Sequence, residues 1–508
     1  MTYIRVMSYA ALAEHHRRLS QLHHVEAIMV WDESTMMPVG GGAARAEALS
    51  TLRGLIHEHS TRENLADLFA VARAEAVNLL AWQQANLREM ERQWVRATAL
   101  QQGLVEAMSR AELQSEQAWR THRADNDFSG FLPFFREVVR LKREVAQAWG
   151  DRLSLSPYDA LLDGYEPGAR SSLILPLFAR LRSFLPGLID KVMQQQARES
   201  IATSQGPFPV ERQRWLCLEL LRRIGFDFRH GRLDVSHHPF CGGVPTDVRI
   251  TTRYDFDDYT KSLAAVLHES GHAKYEQNLP GDWLDQPIGA ARGMSIHESQ
   301  SLLFEMQVCR SPAFLEFAGP FIAKAFPDSF TRTPEAFSPE NLFRQLTRVK
   351  PGLIRGDADE VTYPCHVVLR FEIERALIDG SLQPKDVPEA WDAWMRQMLG
   401  LSTLGNDRDG CLQDVHWPSG LFGYFPAYVL GAMTAAQLFR AARDAHPDLM
   451  TQMRRGEFQG LDSWLSKNVW SQGSFLEAQA LVARATGSPL STEAFEQHLE
   501  RRYLHRES

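Results

Sequence analysis

The sequence predicts a mainly α-helical protein that carries one small β-sheet. Over residues 1–230, apolar side chains recur at the spacing of three, four or seven residues that one helix face requires. From residue 232 to 254 the pattern changes to alternating, β-branched segments that are typical of strands. Helical patterns then resume to the C-terminus, interrupted by a glycine-rich loop over residues 400–423. These observations together predict long helices around a single sheet.

The N-terminal half contains two apolar stripes at helical spacing, namely Leu19, Leu22, Val25 and Met29, then Leu87, Met90, Trp94 and Ala97. Such stripes indicate helices that bury one face in a core. Turn residues break the helices at 125–127 and at 154–170. Because no linker or fixed-period repeat divides the chain, we predict a single domain over residues 1–508, built from a helical half (1–230) and a second half (231–508).

The strand signal is confined to a short stretch of the chain. Residues 233–236 and 248–254 alternate in polarity and predict two strands, with the turn between them at residues 242–245, GGVP. If residues 247–254 offer an exposed edge, an extended peptide can add to it through backbone hydrogen bonds. An ordinary structural hairpin is the alternative.

Composition and charge exclude several classes of protein. The chain carries 55 Lys and Arg against 63 Asp and Glu, a formal net charge of −8, so no basic surface for nucleic acid is predicted. The five cysteines lie far apart and form no C-x-x-C pair, which argues against a disulfide framework and indicates a reducing compartment. No secretory signal and no membrane-spanning run is recognised. We therefore expect a cytoplasmic protein that binds neither nucleic acid nor membranes.

The most informative segment is HESGH at residues 268–272. Two histidines four residues apart on a helix project from nearly the same face, so His268 and His272 can reach one ion. Glu269 lies to the side, near enough to act on a water at the metal without being a ligand. Gly271 costs up to about 1 kcal/mol inside a helix, which indicates close packing there. The alternative is a surface helix with two solvated histidines.

A catalytic zinc ion needs a third protein ligand and keeps one position open. Glu298, 26 residues after His272, is the candidate, because that gap suits a turn at residues 280–281 and a return helix alongside. His297 competes for this role, but adjacent helical residues point about 100° apart, so only one can face the ion. We predict Glu298 as the ligand and His297 as a supporting or packing residue. A His/His/Glu set does not discriminate sharply between zinc and cobalt.

At this point the sequence resembles the carboxypeptidase Taq family of zinc metallocarboxypeptidases. Six motifs of that family occur in order: HPF (238–240), DVRIT (247–251), HESGH (268–272), HESQ (297–300), IRGDAD (354–359) and GCLQDVHW (410–417). Similar stretches, WDESTMMP (31–38) and YDALLD (158–163), extend the resemblance over nearly the whole chain. One departure follows HESQ, where Leu302 and Phe304-Glu305-Met306 replace the Arg and Trp-Glu-Asn of many family members, which affects specificity more than chemistry.

The resemblance implies a mostly helical homodimer with a deep substrate groove, which the helical half would wall and the metal helix would line. It implies His268, His272 and Glu298 as ligands of one zinc ion per chain, which cobalt can replace, and Glu269 as the catalytic base. It also implies the removal of single residues from peptide C-termini with broad specificity, with proline disfavoured.

Carboxypeptidase action adds a requirement for a group that holds the free C-terminal carboxylate of the substrate. Arg355 is the first candidate, because its planar guanidinium matches a carboxylate at two points. A structural ion pair of Arg355 with Asp357 or Asp359, which are close in sequence, is the alternative. Arg249, on a predicted strand, is a weaker candidate for substrate binding.

The oxyanion that develops during peptide hydrolysis needs a hydrogen-bond donor beside the metal. His238 and Tyr424 are both candidates, since each can donate without a second permanent charge, and the sequence does not choose between them. Tyr424 could also add a hydroxyl contact to the substrate carboxylate. Asp414 and His416 flank Trp417 in a loop, where they are candidates for an orienting role.

Two other functions remain open from the sequence. An oligopeptidase or dipeptidyl carboxypeptidase with the same metal site would release internal fragments or dipeptides. An inactive helical scaffold whose metal only stabilises the fold is the second alternative. Glu269 argues against the scaffold, because a structural zinc site needs no water-activating carboxylate and usually fills its fourth position with protein. We therefore expect a zinc-dependent metallocarboxypeptidase.

Overall fold

The computed structural model describes residues 7–505 of the chain. Residues 1–6, on which the expected absence of a secretory signal partly rests, lie outside the described residues. The N-terminal half is built from helices, as predicted: α1 (Met7–Thr35), α2 (Gly42–Ser60), α3 (Leu65–Ala74), α4 (Ala81–Thr98), α5 (Gln102–Ala124), α6 (Phe128–Leu153), α7 (Pro157–Tyr165), α8 (Ser171–Gln196) and α9 (Val210–Arg223).

The sheet follows α9 and has three strands, β1 (Gly231–Val235), β2 (Cys241–Val244) and β3 (Asp247–Thr252). Their order is β1-β3-β2, with β1 parallel and β2 antiparallel to β3. Because β3 is central and both its edges are paired, the expected free edge at residues 247–254 is wrong. An added peptide strand has only the outer edges of β1 and β2 within this sheet.

The turn predicted at residues 242–245 is also misplaced. Gly242 and Gly243 belong to β2, and the chain reverses between β2 and β3 at residues 245–246. Gly243 has φ +92°, and a Cβ there would lie 2.0 Å from the carbonyl oxygen of Asp247. Glycine is therefore required by the close approach of two paired strands, and its presence does not mark the turn.

The rest of the chain is again helical and holds the metal-binding motif. It comprises α10 (Tyr259–Gln277), α11 (Met294–Leu302), a π-helix (Leu303–Val308), α12 (Pro312–Ala325), α13 (Pro327–Arg332), α14 (Pro339–Leu346), α15 (Tyr363–Asp379), α16 (Val387–Leu399), α17 (Pro426–Ala445), α18 (Leu449–Arg454), α19 (Gln459–Asn468), α20 (Ala478–Thr486), α21 (Glu493–Glu500) and a C-terminal π-turn (Arg501–His505).

One hydrophobic cluster joins the sheet to the HExxH helix, which confirms the predicted fold class. Val248 and Ile250 of β3 are buried in the same cluster as Val266 and Leu267 of α10 and Ile296 of α11. The sheet thus supports the helix that carries the two histidines, and α10 packs in turn against the helix that carries Glu298.

A second hydrophobic cluster crosses residue 230, the expected boundary between the halves. It combines Phe135 of α6 and Phe178 of α8 with Phe371 of α15 and Met433 of α17. The helices before the sheet are therefore held by apolar contacts to helices that follow the metal motif.

The sequence predicted no segment apolar enough to cross a membrane, and helix α8 is an exception to that prediction. By length and composition it is the one helix among residues 7–505 that passes this test. The core helix of a soluble protein passes the same test. The second hydrophobic cluster accounts for the apolar face of α8, because it buries Phe178, Leu181, Leu185 and Leu188.

Candidate active site

Helix α10 carries the HESGH motif and packs tightly against α11. The side chain of Asp258 accepts a hydrogen bond from the backbone N of Thr260 (3.0 Å) and caps the start of α10. A Cβ on Gly271 would lie 2.3 Å from the backbone oxygen of Gln300 and 2.6 Å from the Cα of Ser301. Gly271 therefore allows α11 to lie against the middle of α10, which confirms the close packing predicted from the sequence.

This packing brings the two histidines and Glu298 together. Oε2 of Glu298 lies 3.4 Å from Nε2 of His272 and 4.0 Å from Nε2 of His268. One ligand atom from each of the three residues lies within 4.8 Å of the other two. Two imidazole nitrogens and one carboxylate oxygen at this separation suit a divalent transition-metal ion such as zinc, and they leave a coordination position open.

The second nitrogen of His268 is held by Glu305, which the sequence analysis did not assign to the site. Nδ1 of His268 lies 2.9 Å from Oε2 of Glu305, and Arg310 donates to the other carboxylate oxygen at 2.7 Å. A carboxylate on Nδ1 fixes the ring orientation and leaves Nε2 free for a metal. Glu305 lies seven residues after Glu298, two helical turns on, which is the sequence signal that could have found it.

His297 supports His272 in a similar way. Nδ1 of His297 lies 2.6 Å from Nδ1 of His272, and its Nε2 lies 2.7 Å from Oε1 of Glu276. The chain Glu276–His297–His272 orients the second histidine from outside the group of three ligand atoms. His297 thus occupies the supporting position that the sequence analysis preferred for it.

The two carboxyl groups nearest the histidines differ in their affinity for protons. Burial raises the pKa of Glu269 to about 7, partly opposed by the charge of His268. Burial also opposes ionisation of Glu298, but the hydrogen bond with His272 and the charge of His268 outweigh it and bring the pKa to about 2. Glu298 is therefore ionised at neutral pH, as a metal ligand must be, while Glu269 can gain and lose a proton near neutrality.

The carboxylate of Glu269 is buried but free of hydrogen bonds. Its residue is 6% exposed, and no group among residues 7–505 donates a hydrogen bond to it. A buried carboxylate without a partner is costly unless a ligand or water completes it. Glu269 is thus available to accept a proton from a molecule in the site.

Arg355 is held by the GCLQDVHW motif rather than by its sequence neighbours. Its Nη2 and Nε donate to Oδ1 of Asp414 at 2.9 and 3.2 Å, and its Nη1 donates to the hydroxyl of Tyr363 at 3.1 Å. Oε1 of Gln413 also accepts from the backbone N of Arg355 at 2.7 Å. The structural ion pair that the sequence left open therefore exists, but its partner is Asp414 and not Asp357 or Asp359.

Aromatic rings enclose the guanidinium of Arg355. Its Cζ lies 5.8 Å from the ring centre of Tyr363, 5.5 Å from Phe425 and 5.2 Å from Tyr428. A buried guanidinium among aromatic faces loses water and gains cation–π attraction, which strengthens any charged contact that it makes. Tyr428 was not found from the sequence, because it lies on α17 outside every motif.

Tyr424 packs against Tyr428, one of the aromatic residues around Arg355. It is half-buried, and its ring lies 5.3 Å from Tyr428 and 5.7 Å from His416. Burial raises the pKa of Tyr424, and the charges of Glu298 and Arg355 act on it in opposite directions. Its hydroxyl is therefore within electrostatic reach of both ends of the site.

His238 and Arg249 occupy different surroundings. The His238 side chain is exposed, and its ring contacts that of His237 at 4.8 Å. Arg249 makes a two-point ion pair with Asp247 at 2.6 and 2.9 Å and lies over the ring of Trp31. Among the described residues, neither side chain contacts the ligand group, so both remain untested candidates for substrate binding.

The helical fold, the convergent His/His/Glu group and the free Glu269 define a metallopeptidase of the HExxH type. The family model of the carboxypeptidase Taq (M32) metallopeptidases matches residues 11–503, and the chain belongs to this family. It is a peptide hydrolase of the metallocarboxypeptidase class, and its family implies a divalent metal.

Curated relatives and solved structures agree with this assignment. Thermostable carboxypeptidase 1 of Thermus thermophilus is 38% identical and carboxypeptidase 1 of Bacillus subtilis 32% identical, over 98% and 96% of both chains respectively. Metallocarboxypeptidase 1 of Trypanosoma cruzi superimposes with a TM-score of 0.96 at 42% identity, over 98% of this chain and 99% of that one. The M32 carboxypeptidase of Deinococcus radiodurans R1 gives 0.92 at 34%, over the same shares.

Proposed function

We propose that the protein is a zinc-dependent carboxypeptidase that removes single residues from peptide C-termini with broad specificity. The observation that carries the proposal is helix α17, which contacts both ends of the site. Its Tyr428 ring lies 5.2 Å from Cζ of Arg355, and a Cβ on its Gly431 would lie 2.9 Å from Cβ of Glu298. A metal group and a carboxylate-binding arginine that share one small region suit a substrate cut one residue from its end, because one residue spans about 3.5 Å.

Glu269 acts as general base and then as general acid in this proposal. A divalent ion held by the two histidines and Glu298 supplies polarisation of the scissile carbonyl and a lowered pKa for water. Glu269 takes a proton from the attacking water and later gives it to the departing amine. A pKa near 7 and a carboxylate without competing donors suit both transfers.

Arg355 binds the free carboxylate of the substrate in this proposal. A guanidinium has five N–H groups, and the contacts to Asp414 and Tyr363 use three of them, so one on Nη1 and one on Nη2 remain. This pair matches the two oxygens of a carboxylate. Tyr424 donates to the developing oxyanion or to the same carboxylate, and the structure favours it over the exposed His238.

Zinc, a homodimeric state and a cytoplasmic location are parts of the same proposal. The His/His/Glu donor set suits zinc and accepts cobalt. All five cysteines are free, which is consistent with a reducing compartment. The homodimer rests on the family resemblance alone, and light scattering of the purified protein at several concentrations tests it.

Mass spectrometry of a defined peptide pool tests the proposed activity. The protein is first stripped with a chelator and then incubated with zinc, with cobalt or without metal, alongside Glu269→Gln. Each peptide is supplied as the free acid and as the C-terminal amide. Expected are ladders that lose one residue at a time, much faster from free acids than from amides, in the metal-loaded wild type only. The metal content of Glu269→Gln is measured as its control, since this residue is not a ligand.

Other cleavage patterns contradict the proposal in distinct ways. Loss of two residues at a time, or internal cuts, keeps the metal chemistry but identifies a dipeptidyl carboxypeptidase or an oligopeptidase. Equal cleavage of acids and amides excludes Arg355 as the group that selects the C-terminus. Stoichiometric metal without cleavage of any peptide identifies a scaffold.

A further inference from the structure

The C-terminal π-turn Arg501–His505 lies against the π-helix Leu303–Val308. The guanidinium of Arg502 is buried and donates through Nη1 to the backbone oxygen of Met306 and through Nη2 to that of Gln307, the latter at 3.2 Å. Carbonyls in the last turn of a helix lack partners within the helix and carry partial negative charge. Arg502 therefore donates to carbonyls at the buried C-terminal end of the π-helix from 195 residues further along the chain.

Glu360 holds Arg502 in this position. Its carboxylate accepts from Nη1 of Arg502 at 3.2 Å, from Nε2 of His498 at 2.7 Å and from the hydroxyl of Tyr503 at 2.9 Å. All four side chains are at least nine-tenths buried. Because the buried carboxylate has three hydrogen-bond donors, the network is satisfied, and its side chains are held in a defined arrangement.

The same π-helix carries Glu305, which holds the metal-ligand candidate His268. Glu305 precedes Gln307 by two residues in the sequence. Its carboxylate forms a hydrogen bond with Nδ1 of His268 at 2.9 Å. π-Helical turns occur frequently at functional sites, where they re-aim a side chain at the cost of a less regular helix. Arg502 supplies a contact that holds the carbonyl end of this turn from outside the helix.

We propose that Arg502 and Glu360 position the metal site from the C-terminus. Arg502 fixes the carbonyl end of the π-helix, the π-helix fixes Glu305, and Glu305 fixes the ring of His268 with Nε2 towards the metal. Arg502 and Glu360 are positioning residues, since neither contacts the ligand group. This inference rests on the proposed function, because it requires that His268 bind a metal.

Glu360 also connects the metal site to the loop of Arg355. It directly follows the IRGDAD motif, whose last residue, Asp359, accepts hydrogen bonds from the backbone N of Val361 and Thr362 at 3.0 Å. The buried carboxylate thus fixes the start of α15 against the C-terminal helix α21. One network therefore supports both His268, through Arg502, and the segment that presents Arg355.

Metal affinity of the stripped full-length protein tests this proposal without reference to peptidase activity. Zinc is titrated in competition with a chromophoric chelator, and the release rate is followed after excess chelator is added. Glu305→Gln is the reference variant, because Glu305 contacts the metal-ligand candidate His268 directly. We expect it to lower the zinc affinity by roughly 10- to 100-fold. For Arg502→Gln we expect the zinc affinity to fall by roughly 3- to 10-fold, because Arg502 acts on His268 through the π-helix and Glu305.

Three variants separate positioning from general destabilisation. Arg501→Gln changes the neighbouring arginine, which donates to the backbone oxygen of Gln497 in α21 and, among residues 7–505, to no residue of the network. This variant is expected to keep wild-type zinc affinity. Leu499→Ala opens a cavity in the second hydrophobic cluster, three residues before Arg502, and leaves the hydrogen-bonding side chains of the network in place. It lowers the stability of α21 and is expected to leave the zinc affinity within a factor of about two. Arg502→Lys keeps the charge but reaches only one of the two carbonyls. Its zinc affinity is expected to lie between those of the wild type and Arg502→Gln.

The outcomes distinguish this inference from the proposed function. An unchanged affinity in Arg502→Gln, or an equal loss in Leu499→Ala, overturns the positioning role. If Arg502→Gln does not fold, wild-type affinity in Arg502→Lys, with an unchanged release rate, overturns it as well. If His272→Ala binds zinc as tightly as the wild type, the metal lies elsewhere, and the proposed function fails together with the inference.

Discussion

Arg355 and Asp414 form a two-point ion pair across 59 residues of chain, with Nη2 and Nε of the arginine 2.9 and 3.2 Å from Oδ1. The other oxygen of Asp414 accepts from Nε of Arg370 at 2.8 Å, and Arg370 is fully buried. Asp414 therefore balances two arginines and occupies the Nε–Nη2 side of Arg355. The Nη1–Nη2 side is the part of the guanidinium that remains for a substrate carboxylate.

Replacement of Arg355 by glutamine is expected to remove the preference for a free C-terminus. Loss of a buried, charged contact lowers kcat/KM for free-acid peptides by roughly 10²-fold, mainly through KM. Rates on the corresponding amides stay nearly unchanged, because they do not use the charge. Steady-state kinetics on matched acid and amide peptides measure the ratio.

Arg375→Gln is the control for this replacement, because Arg375 pairs with Glu372 on the same helix, α15, and is only partly buried. Its acid-to-amide ratio is expected to equal that of the wild type. An unchanged ratio in Arg355→Gln assigns the carboxylate-binding role to another residue, and Arg249 is then the next to be replaced.

Tyr424 and His238 are expected to respond differently to removal of their hydrogen-bond donors. Tyr424→Phe keeps the ring packing but removes the hydroxyl, and a donor to the oxyanion contributes roughly 10²- to 10³-fold to kcat. His238→Gln changes an exposed side chain, and a change of less than about 3-fold is expected. The reverse order of effects, measured by kcat on one peptide, would assign the oxyanion contact to the HPF motif.

The sequence predicted those parts of the site that depend on local geometry. His268, Glu269 and His272 lie within five residues of one helix, so their relative directions follow from the helix repeat alone. Glu298 was predicted because it lies on the next α-helix, although residues 278–293, which connect the two helices, form a long segment with two 3-10 turns instead of the single turn expected at residues 280–281. The fold class was predicted for the same reason, since helical and strand periodicities are local patterns.

The parts that were not predicted depend on contacts between distant segments. The sequence suggested Asp357 or Asp359 as the ion-pair partner of Arg355, whereas the partner in the structure is Asp414. The strand order β1-β3-β2 is a long-range property that alternation does not encode, and Gly243 resembled a turn residue although it fits a close strand pair. The spacing of seven residues from Glu298 places Glu305 near the site, but it does not show that the carboxylate of Glu305 reaches Nδ1 of His268.

Replacement of Gly271 by alanine is expected to separate α10 from α11. The new Cβ meets backbone atoms of Gln300 and Ser301 at 2.3 to 2.7 Å, so a helix must move. We expect the free energy of unfolding to fall by about 1–3 kcal/mol or more. Zinc affinity falls as well, because the movement displaces Glu298 from the histidines. Urea denaturation and zinc titration measure the two effects.

Gly187→Ala is the matched control for Gly271→Ala. Gly187 lies inside helix α8, is exposed, and has no atom within 4 Å of the position of a Cβ. Alanine there is expected to raise the free energy of unfolding by about 0.5–1 kcal/mol, because it restricts the unfolded chain. If both replacements stabilise the protein, the close contact between α10 and α11 is not rigid.

The contribution of Glu374 to the free energy of unfolding is expected to fall between about pH 4.5 and 7. Its carboxylate accepts from Trp417 Nε1 at 2.8 Å, Tyr158 at 2.9 Å and the backbone N of Gly423 at 3.0 Å. Burial raises its pKa from 4.5 to about 7 in spite of these donors. Below pH 4.5 the group is protonated in both the folded and the unfolded protein. As the pH rises, the unfolded chain loses the proton first, which favours unfolding until the folded protein ionises near pH 7.

Glu374→Gln isolates this contribution, because Glu166 and Glu269 also have pKa values raised to about 7 and add to the slope. We compare the free energy of unfolding of the wild type with that of the variant at each pH. From pH 4.5 to 7, the wild type is expected to lose about 3 kcal/mol of stability relative to the variant. Glu372→Gln removes a partly buried carboxyl group from the same helix and is the matched control. Urea denaturation at half-unit pH steps measures both differences. Parallel curves for wild type and Glu374→Gln would show that folding does not raise the pKa of Glu374, so that its three donors offset its burial.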